Sequence, residues 1–419
     1  MRVLCLFANA FPFGTWEPYL ETELAYYGQF DRVEIFSLSV RDAQRQQQRA
    51  VSAKVGVHAI RFRSRVFYAV RAVRVLFDRS LYIELLHLAR SRRLSMRRLV
   101  QLVVFLSRTH HEADEVARII RRNDLFAVND DVVLYAYRYS YQPYLGQLVA
   151  SKLGLRSAHH VARAHRADLY EETAPAGYIP LRWLVARSVD EVHAVAKQGR
   201  DYLLRKWPEL ADRVKVSYLG TVDPGLAPSP QQRGELRIVT CSTLVPVKRL
   251  DRLVEALRIL PVDQRVRWVH FGDGPLREEI QRRVRTLPEQ VTIELRGAVD
   301  NRKLLEIYKK EAFHALVNVS ESEGVPVSMM EACAMGIPVI ATDVGGVGEI
   351  IIPEENGVLL PSDASPEQIM RAITSLGEMS PSDYSALRSG ARQVWERRFR
   401  ADRNYPAFVS ALLAPFSVR

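Results

Sequence analysis

Residues 318–346 read NVSESEGVPVSMMEACAMGIPVIATDVGG: a strand, a tight loop, a short helix and a second strand. Glu323 and Glu331 bracket the start of the helix with seven residues between them. Pro326 is expected at the first helical position, where no backbone N–H is needed. Gly336 is expected just past the helix end, where φ is often positive. The loop Glu323-Gly324-Val325-Pro326 then offers backbone N–H groups at a helix N-terminus, a place suited to phosphates. A carboxylate before the helix and another inside it are placed for sugar hydroxyls beside a diphosphate. Taken alone, they are equally two solvated carboxylates on a surface helix.

The same alternation of strand and helix runs outward in both directions. VLCLFA, VEIFSL, VHAIRF, VVLYAYRY, SAHHVARA, EVHAVA and VKVSYLG read as strands in the first half. LRIVTCS, VRWVHFG, VTIELRG, FHALVNVS, IPVIAT and GVLL read as strands in the second. Near-continuous apolar strands separated by amphipathic stretches predict parallel sheets covered on both faces, an α/β architecture. The stretch 223–234, DPGLAPSPQQRG, has little to bury and reads as a linker. The expected layout is an N-terminal doubly wound domain over 1–222, a C-terminal one over 235–390, and a terminal helix over 391–419. Ligands of such sheets sit at the carboxyl ends of the strands.

Composition narrows the class. The chain has 419 residues, 47% of them hydrophobic, and a formal charge of +11. No apolar run is long enough for a spanning helix, and the first strand, MRVLCLFANAFPFG, reads as core rather than as a secretion signal. Three cysteines without ligand spacing suggest a reducing compartment, hence the cytoplasm. The window 61–108 holds twelve arginines against Asp78 and Glu84, interleaved with apolar residues. Such a pattern docks on an anionic membrane surface or simply solvates helix faces; no motif points to nucleic acid.

Polar groups that could carry chemistry fall just after strands. His165 follows SAHHVARA, Lys248 and Arg249 follow LRIVTCS, Gly272-Asp273-Gly274 follows VRWVHF with Asp273 expected to cap the next helix, and Glu323 follows FHALVNVS. Basic residues at a helix start oppose the helix dipole, which suggests a bound anion between them. Tyr135, Tyr137, Tyr139, Tyr141 and Tyr144 could stack on a sugar or fill the core. No Asp-x-Asp pair or other carboxylate cluster suits a hard cation, so no metal is expected. A dinucleotide-dependent dehydrogenase would need G-x-G-x-x-G after a first strand, and FANAFPFGTW and CSTLVPVKRL both lack it.

The segment 318–346, with its continuation IPVIATDVGGVGEII, resembles the nucleotide-sugar site of the retaining glycosyltransferase family 4 and its E-x7-E signature. CSTLVPVKRLD resembles the family's phosphate-binding loop, with Thr243 where relatives often carry Arg. RAHRADLYEE resembles the segment of the N-domain histidine, and FANAFPFGTWEPYLETEL resembles the glycine loop. The resemblance implies a GT-B fold, two Rossmann-like domains facing across a cleft, with acceptor on the first domain, donor on the second, and a terminal helix returning to the first. It implies a metal-independent, cofactor-free retaining transfer of a hexose from a UDP- or GDP-sugar. His165, Glu323, Lys248 and Arg249 take the catalytic roles. Gly14, Gly297, Val299, Gly324, Val325, Pro326 and Glu331 bind the substrate. The phrases resemble most those of bacterial exopolysaccharide and lipopolysaccharide enzymes. That implies a lipid-linked saccharide acceptor and a peripheral position on the inner face of the cytoplasmic membrane. A nucleotide-sugar epimerase of the same architecture and a non-catalytic membrane-surface scaffold remain as alternatives.

Overall fold

The computed structural model describes residues 1–231 and 234–417. Gln232 and Arg233 of the expected linker, the last two residues of the expected terminal helix, and the side chains of Arg65, Ala69 and Arg71 lie outside the described residues. Two compact units emerge: Met1–Ser217 with Tyr405–Arg419, and Tyr218–Asn404.

The first unit is built on seven parallel strands: β1 Arg2–Ala8, β2 Arg32–Val40, β3 Val55–Arg61, β4 Asp131–Ala136, β5 His159–Ala164, β6 Glu191–Ala194 and β7 Val214–Val216. Their spatial order is β3-β2-β1-β4-β5-β6-β7. Val3 through Ala8 are all fully buried, because helices cover both faces of the sheet, and this is why β1 has no alternating pattern. Phe408, Val409, Leu412 and Leu413, from the end of the chain, pack into the core with Leu4, Leu6 and Tyr135. Beneath them lies a buried ion pair, Arg163 Nη1 to Glu23 Oε2 at 2.6 Å. Tyr27 and Tyr135 hydroxyls also donate to Glu23, at 2.7 and 3.0 Å. Phe408 closes this polar island, its ring 4.5 Å from the Arg163 guanidinium.

The second unit repeats the plan with β8 Leu236–Cys241, β9 Val266–Phe271, β10 Val291–Leu295, β11 Ala315–Asn318, β12 Val339–Thr342 and β13 Gly357–Leu360. The order is β10-β9-β8-β11-β12-β13, again all parallel. Trp268 on β9 is fully buried at the centre of its core and donates its indole N–H to Thr240 Oγ1 at 2.8 Å. In this order the chain reverses direction between β8 and β11, so the loops that follow these two strands diverge and leave a crevice at their carboxyl ends.

The stretch 223–234, expected as a linker, has little to bury. Its backbone nevertheless finds partners on the second unit. Ala227 N–H donates to the Met335 carbonyl at 2.9 Å, and Asp223 pairs with Arg392 at 2.5 Å. The division between units falls earlier, after Ser217, and the chain returns to the first unit within the helix Ala401–Leu413. Among the described residues no helix is long and apolar enough to cross a membrane. Phe408→Ala should cost the first unit ~3–5 kcal/mol, because it opens a cavity over a buried charge pair; urea unfolding followed by circular dichroism measures this.

Candidate active site

The crevice between β8 and β11 is shaped by glycines before any functional side chain enters it. The loop after β8, Ser242 to Lys248, lies directly on the loop after β9. Ser242 N–H donates to the Phe271 carbonyl and Leu244 N–H to the Asp273 carbonyl, both at 3.0 Å. A Cβ on Gly272 would stand 1.8 Å from the Ser242 carbonyl oxygen, and one on Gly274 would stand 2.5 Å from that of Leu244. Only glycine permits this approach, so Gly272-Asp273-Gly274 is a packing device. The following helix starts after Leu276 without a side-chain cap. Asp273 instead accepts from Gly274 N–H at 2.8 Å and pairs with Arg277 at 3.3 Å, which corrects the capping role expected of it.

Lys248 and Glu323 meet in this crevice. Lys248 Nζ donates to Glu323 Oε1 at 2.5 Å. The same oxygen accepts from Ser320 Oγ at 2.7 Å and Asn318 Nδ2 at 3.1 Å. Three donors on one oxygen fix the carboxylate, and the carboxylate in turn fixes the ammonium. The loop that carries Glu323 is held from the β12 side: Thr342 Oγ1 donates to the Ser320 carbonyl at 2.6 Å, and Gly346 N–H to the Gly324 carbonyl at 2.7 Å. Gly345 has φ of +59°, and a Cβ there would lie 1.9 Å from the Glu323 carbonyl oxygen. Gly345 is therefore required by the approach of two backbones.

The helix Val327–Ala334 leaves this loop. Pro326 precedes it as the N-cap residue, with ψ of 117°, rather than occupying the first helical position. Its carbonyl already accepts from Met329 and Met330, so the helix is counted from the residue after it. Gly336 lies just past the last turn with φ of +66°, as expected. Gly324 and Val325 form the approach to the first-turn N–H groups, which have no intrahelical acceptor. Glu331 points inward, 7% exposed, and accepts from Asn301 Nδ2 at 2.6 Å. Burial pushes its carboxyl up to about 7, and the Asn301 amide only partly offsets this. Asn301 is aimed by its own helix, whose cap Asp300 accepts from Lys303 N–H at 2.9 Å.

Other predicted residues stand differently. Arg249 adopts a left-handed backbone, φ of +47°, and its guanidinium is spent on carbonyls: Val319 at 3.0 Å, Ser320 at 3.4 Å and Ser362 at 2.7 Å. It braces the β11 loop rather than standing beside the Lys248 ammonium. Gly297 has φ of +74°, and its carbonyl is taken by Gly272 N–H at 2.8 Å; Val299 is half-buried in the same loop. In the first unit, Gly14 lies in the loop after β1 with φ of +65° and donates to the Gln47 carbonyl at 2.8 Å. His165 follows β5. Its N–H donates to Asp168 Oδ1 at 2.7 Å, and its ring lies 4.8 Å from that of Tyr137, whose carbonyl it also engages. Burial beside Arg138 and Arg163 holds the imidazole well below its usual range, so it is neutral at pH 7. Its Nε2 is buried without a hydrogen-bond partner.

Asn318, Ser320, Asn301 and Asp168 were missed by sequence reasoning. Each is a small polar residue within a few positions of a predicted one, and its signal was that proximity alone. Glu17 was missed too: it is buried and gathers the N–H groups of Asn9, Ala10 and Phe11 at 3.0–3.2 Å, closing the loop that bears Gly14. The five tyrosines are all buried. Among the described residues no cluster of three or more His, Cys, Asp or Glu could hold a metal ion.

Residues 227–394 match the family model described as glycosyl transferases group 1. That match covers the crevice, both glutamates and Lys248. Over that segment the chain is similar to glycosyl transferases group 1, and its two-sheet α/β architecture is the fold of solved glycosyltransferases. The putative colanic acid biosynthesis glycosyltransferase WcaL of Escherichia coli is 26% identical over 200 residues, 45% of this chain and 48% of WcaL. The fold resembles that of the lipopolysaccharide outer core galactosyltransferase WaaB, with a TM-score of 0.69 at 14% identity over 99% of this chain and 100% of WaaB. It also resembles Anabaena HepE, solved in complex with UDP, with a TM-score of 0.67 at 16% identity over the same shares. The chain spans under half the length of the curated relatives it matches.

The elevated Glu331 carboxyl makes a stability prediction for the second unit. Its native range, about 7, lies above the ordinary 4.5, so between those values the folded chain holds a proton that the unfolded chain has lost. The stabilisation is full below pH ~4.5 and is lost as pH rises through ~7, a difference on the order of 3 kcal/mol. Glu331→Gln should remove that dependence and unfold at higher urea than the parent chain at pH 8. Equal slopes of stability against pH in both chains would count against the assignment.

Proposed function

We propose that this chain is a retaining glycosyltransferase that moves a hexose from a UDP- or GDP-sugar to an acceptor in bacterial cell-surface polysaccharide synthesis. The observation that carries the proposal is the meeting of Lys248 and Glu323 at the β8–β11 switch point, beside the start of the helix Val327–Ala334. The group 1 family match over these residues supports it, as do the named activities of WcaL and WaaB and the UDP held by HepE.

In this reading the donor diphosphate rests against the first-turn N–H groups, with Lys248 on a phosphate oxygen. An ammonium has three donors, and Glu323 engages one of them. The Glu323 carboxylate accepts from hexose hydroxyls, and Glu331 accepts from the ribose. The bond from the anomeric carbon to the phosphate oxygen breaks, and the acceptor hydroxyl oxygen bonds to that carbon on the same face. The acceptor's proton passes to the departing phosphate. Lys248 stabilises the charge that grows on that phosphate, and the neutral Nε2 of His165 in the first unit accepts from a sugar hydroxyl. Neither metal nor cofactor enters the scheme. Arg249, turned onto carbonyls, acts by positioning the Glu323 loop.

The same proposal places the chain on an anionic membrane surface at the inner face of the cytoplasmic membrane. Between Arg65 and Phe77 the side chains of Val66, Val70, Val73, Leu76 and Phe77 are exposed, Phe77 by 87%. Part of the window's charge is internal: Arg98 donates to the Ala176 carbonyl at 3.0 Å, Arg108 to Glu112 at 2.8 Å, and Arg74 to Asp114 at 2.5 Å. The apolar strip therefore carries as much of the docking as the arginines do.

Lys248→Ala and Glu323→Ala should each lower turnover at least ~10²-fold with a nucleotide-sugar identified from a panel by thermal shift; unchanged turnover in both removes the mechanism. Binding to anionic vesicles should weaken with salt, and Phe77→Ser should reduce it at every salt concentration. Equal partitioning onto neutral and anionic lipid, measured by co-sedimentation, would argue against docking.

A further inference from the structure

The first unit contains a cavity of about 500 Å³, in the size range of pockets for small ligands. Its walls come from Phe62, Arg63 and Tyr68, from the long helix Met96–Arg122, from Ser140 and Tyr141, and from the segment 167–180. Phe62, Tyr68, Val104, Phe105, Tyr141 and Tyr178 make most of the surface apolar. Ala167 and Asp168 also line it, and Asp168 is the residue that accepts from His165 N–H. The cavity therefore adjoins the turn that begins with the candidate histidine.

The polar side chains on the wall are mostly committed. Gln101 Nε2 donates to the Tyr178 carbonyl at 2.9 Å. Arg108 is neutralised by Glu112 and donates to the Tyr141 hydroxyl at 2.6 Å. Asp168 accepts from Tyr139 N–H at 2.9 Å as well as from His165. Arg63 is the one lining cation that no carboxylate pairs with among the described residues: it is exposed on the rim, and its guanidinium lies 5.2 Å from the Phe67 ring. The Ser140 hydroxyl also lines the wall. A saccharide would need several convergent hydrogen-bonding groups, which these walls do not offer. An apolar chain bearing one anionic group matches them. The residues that follow Arg63 in sequence, Val66 and Val70, are 72% and 75% exposed, so apolar surface continues beyond the rim.

We propose that this cavity binds the lipid-phosphate end of the acceptor, with the aliphatic chain against Phe62, Tyr68 and Phe105 and the phosphate at Arg63. This rests on the glycosyltransferase reading and chooses, within it, a lipid-linked acceptor over a free saccharide. The experiment is isothermal titration of the full chain with farnesyl phosphate, farnesol, inorganic phosphate and maltotriose.

Farnesyl phosphate should bind saturably, farnesol at least ~10-fold more weakly, and the other two not at all. Arg63→Ala should weaken farnesyl phosphate ~5–10-fold, with Arg63→Lys recovering part of the loss. Val104→Trp, which fills the cavity, should abolish binding while far-ultraviolet circular dichroism stays unchanged. Binding that is indifferent to both Arg63→Ala and Val104→Trp overturns the proposal, and so does maltotriose binding lost in Val104→Trp. UDP and GDP titrated into the same samples test the transferase assignment separately. Failure of the unsubstituted chain to bind either nucleotide would defeat that assignment, while a mutation-sensitive farnesyl phosphate site would still stand.

Discussion

One carboxylate oxygen organises the second unit. Glu323 Oε1 receives Lys248, Ser320 and Asn318, and these come from the two loops that the sheet order sends apart at β8 and β11. The same two loops are also joined by Arg249 on the Val319 and Ser320 carbonyls and by Glu321 N–H on the Val247 carbonyl, but only the Glu323 oxygen brings the Lys248 ammonium into the crevice. A charge-assisted bond of this kind is among the stronger hydrogen bonds, and both partners are partly withdrawn from water, so screening is modest. A structural ion pair would satisfy the same distances. What distinguishes this one is its surroundings: the pair stands at a helix start and in a crevice whose glycines keep backbone close to backbone.

That crevice shows what a sequence can and cannot disclose. All thirteen strands among the described residues were legible: the central ones because a parallel sheet covered on both faces leaves an unbroken apolar run, and the half-buried edge strands β3, β7 and β10 because of their β-branched residues. Glu323 and Lys248 were legible because chemistry in such sheets gathers after strands. The fate of Arg249 was not legible. A left-handed backbone at that position turns the side chain back toward β11, and nothing in the string KRLD indicates that turn. Asn318, Ser320 and Asn301 were hidden for another reason: small polar residues near loops are common, and only three-dimensional convergence separates a partner from a solvated neighbour. The spacer expected at 223–234 failed differently, since composition reports what a segment can bury and not which carbonyls its backbone reaches.

The first unit relies on a buried polar island in place of a crevice pair. Arg163 and Glu23 are both withdrawn from water, an arrangement whose desolvation cost can match its Coulombic gain. It is tolerated because two tyrosine hydroxyls and the Ser217 carbonyl add hydrogen bonds and because Phe408 closes over the guanidinium. The chain's end is thereby required for the core that begins it: the last turns of the terminal helix cover a charge pair contributed by β5 and the helix after β1. The field of Arg163 also reaches His165, two residues further along, and joins burial and Arg138 in keeping that imidazole neutral.

Two of the candidate site residues, one in each unit, hold buried polar groups with few partners. His165 Nε2 is a buried acceptor without a donor, and Glu331 has one amide partner for a carboxylate that burial has driven toward neutrality. An unmet buried polar atom costs roughly 1–3 kcal/mol. A hydroxyl can donate to the imidazole nitrogen, and it can donate to or accept from a carboxyl, so it suits either group. A sugar nucleotide is a molecule made largely of hydroxyls around a diphosphate. In the proposed reading the second unit therefore offers it both kinds of partner: Glu331 for a hydroxyl, and the Lys248 ammonium with the first-turn N–H groups for the phosphates.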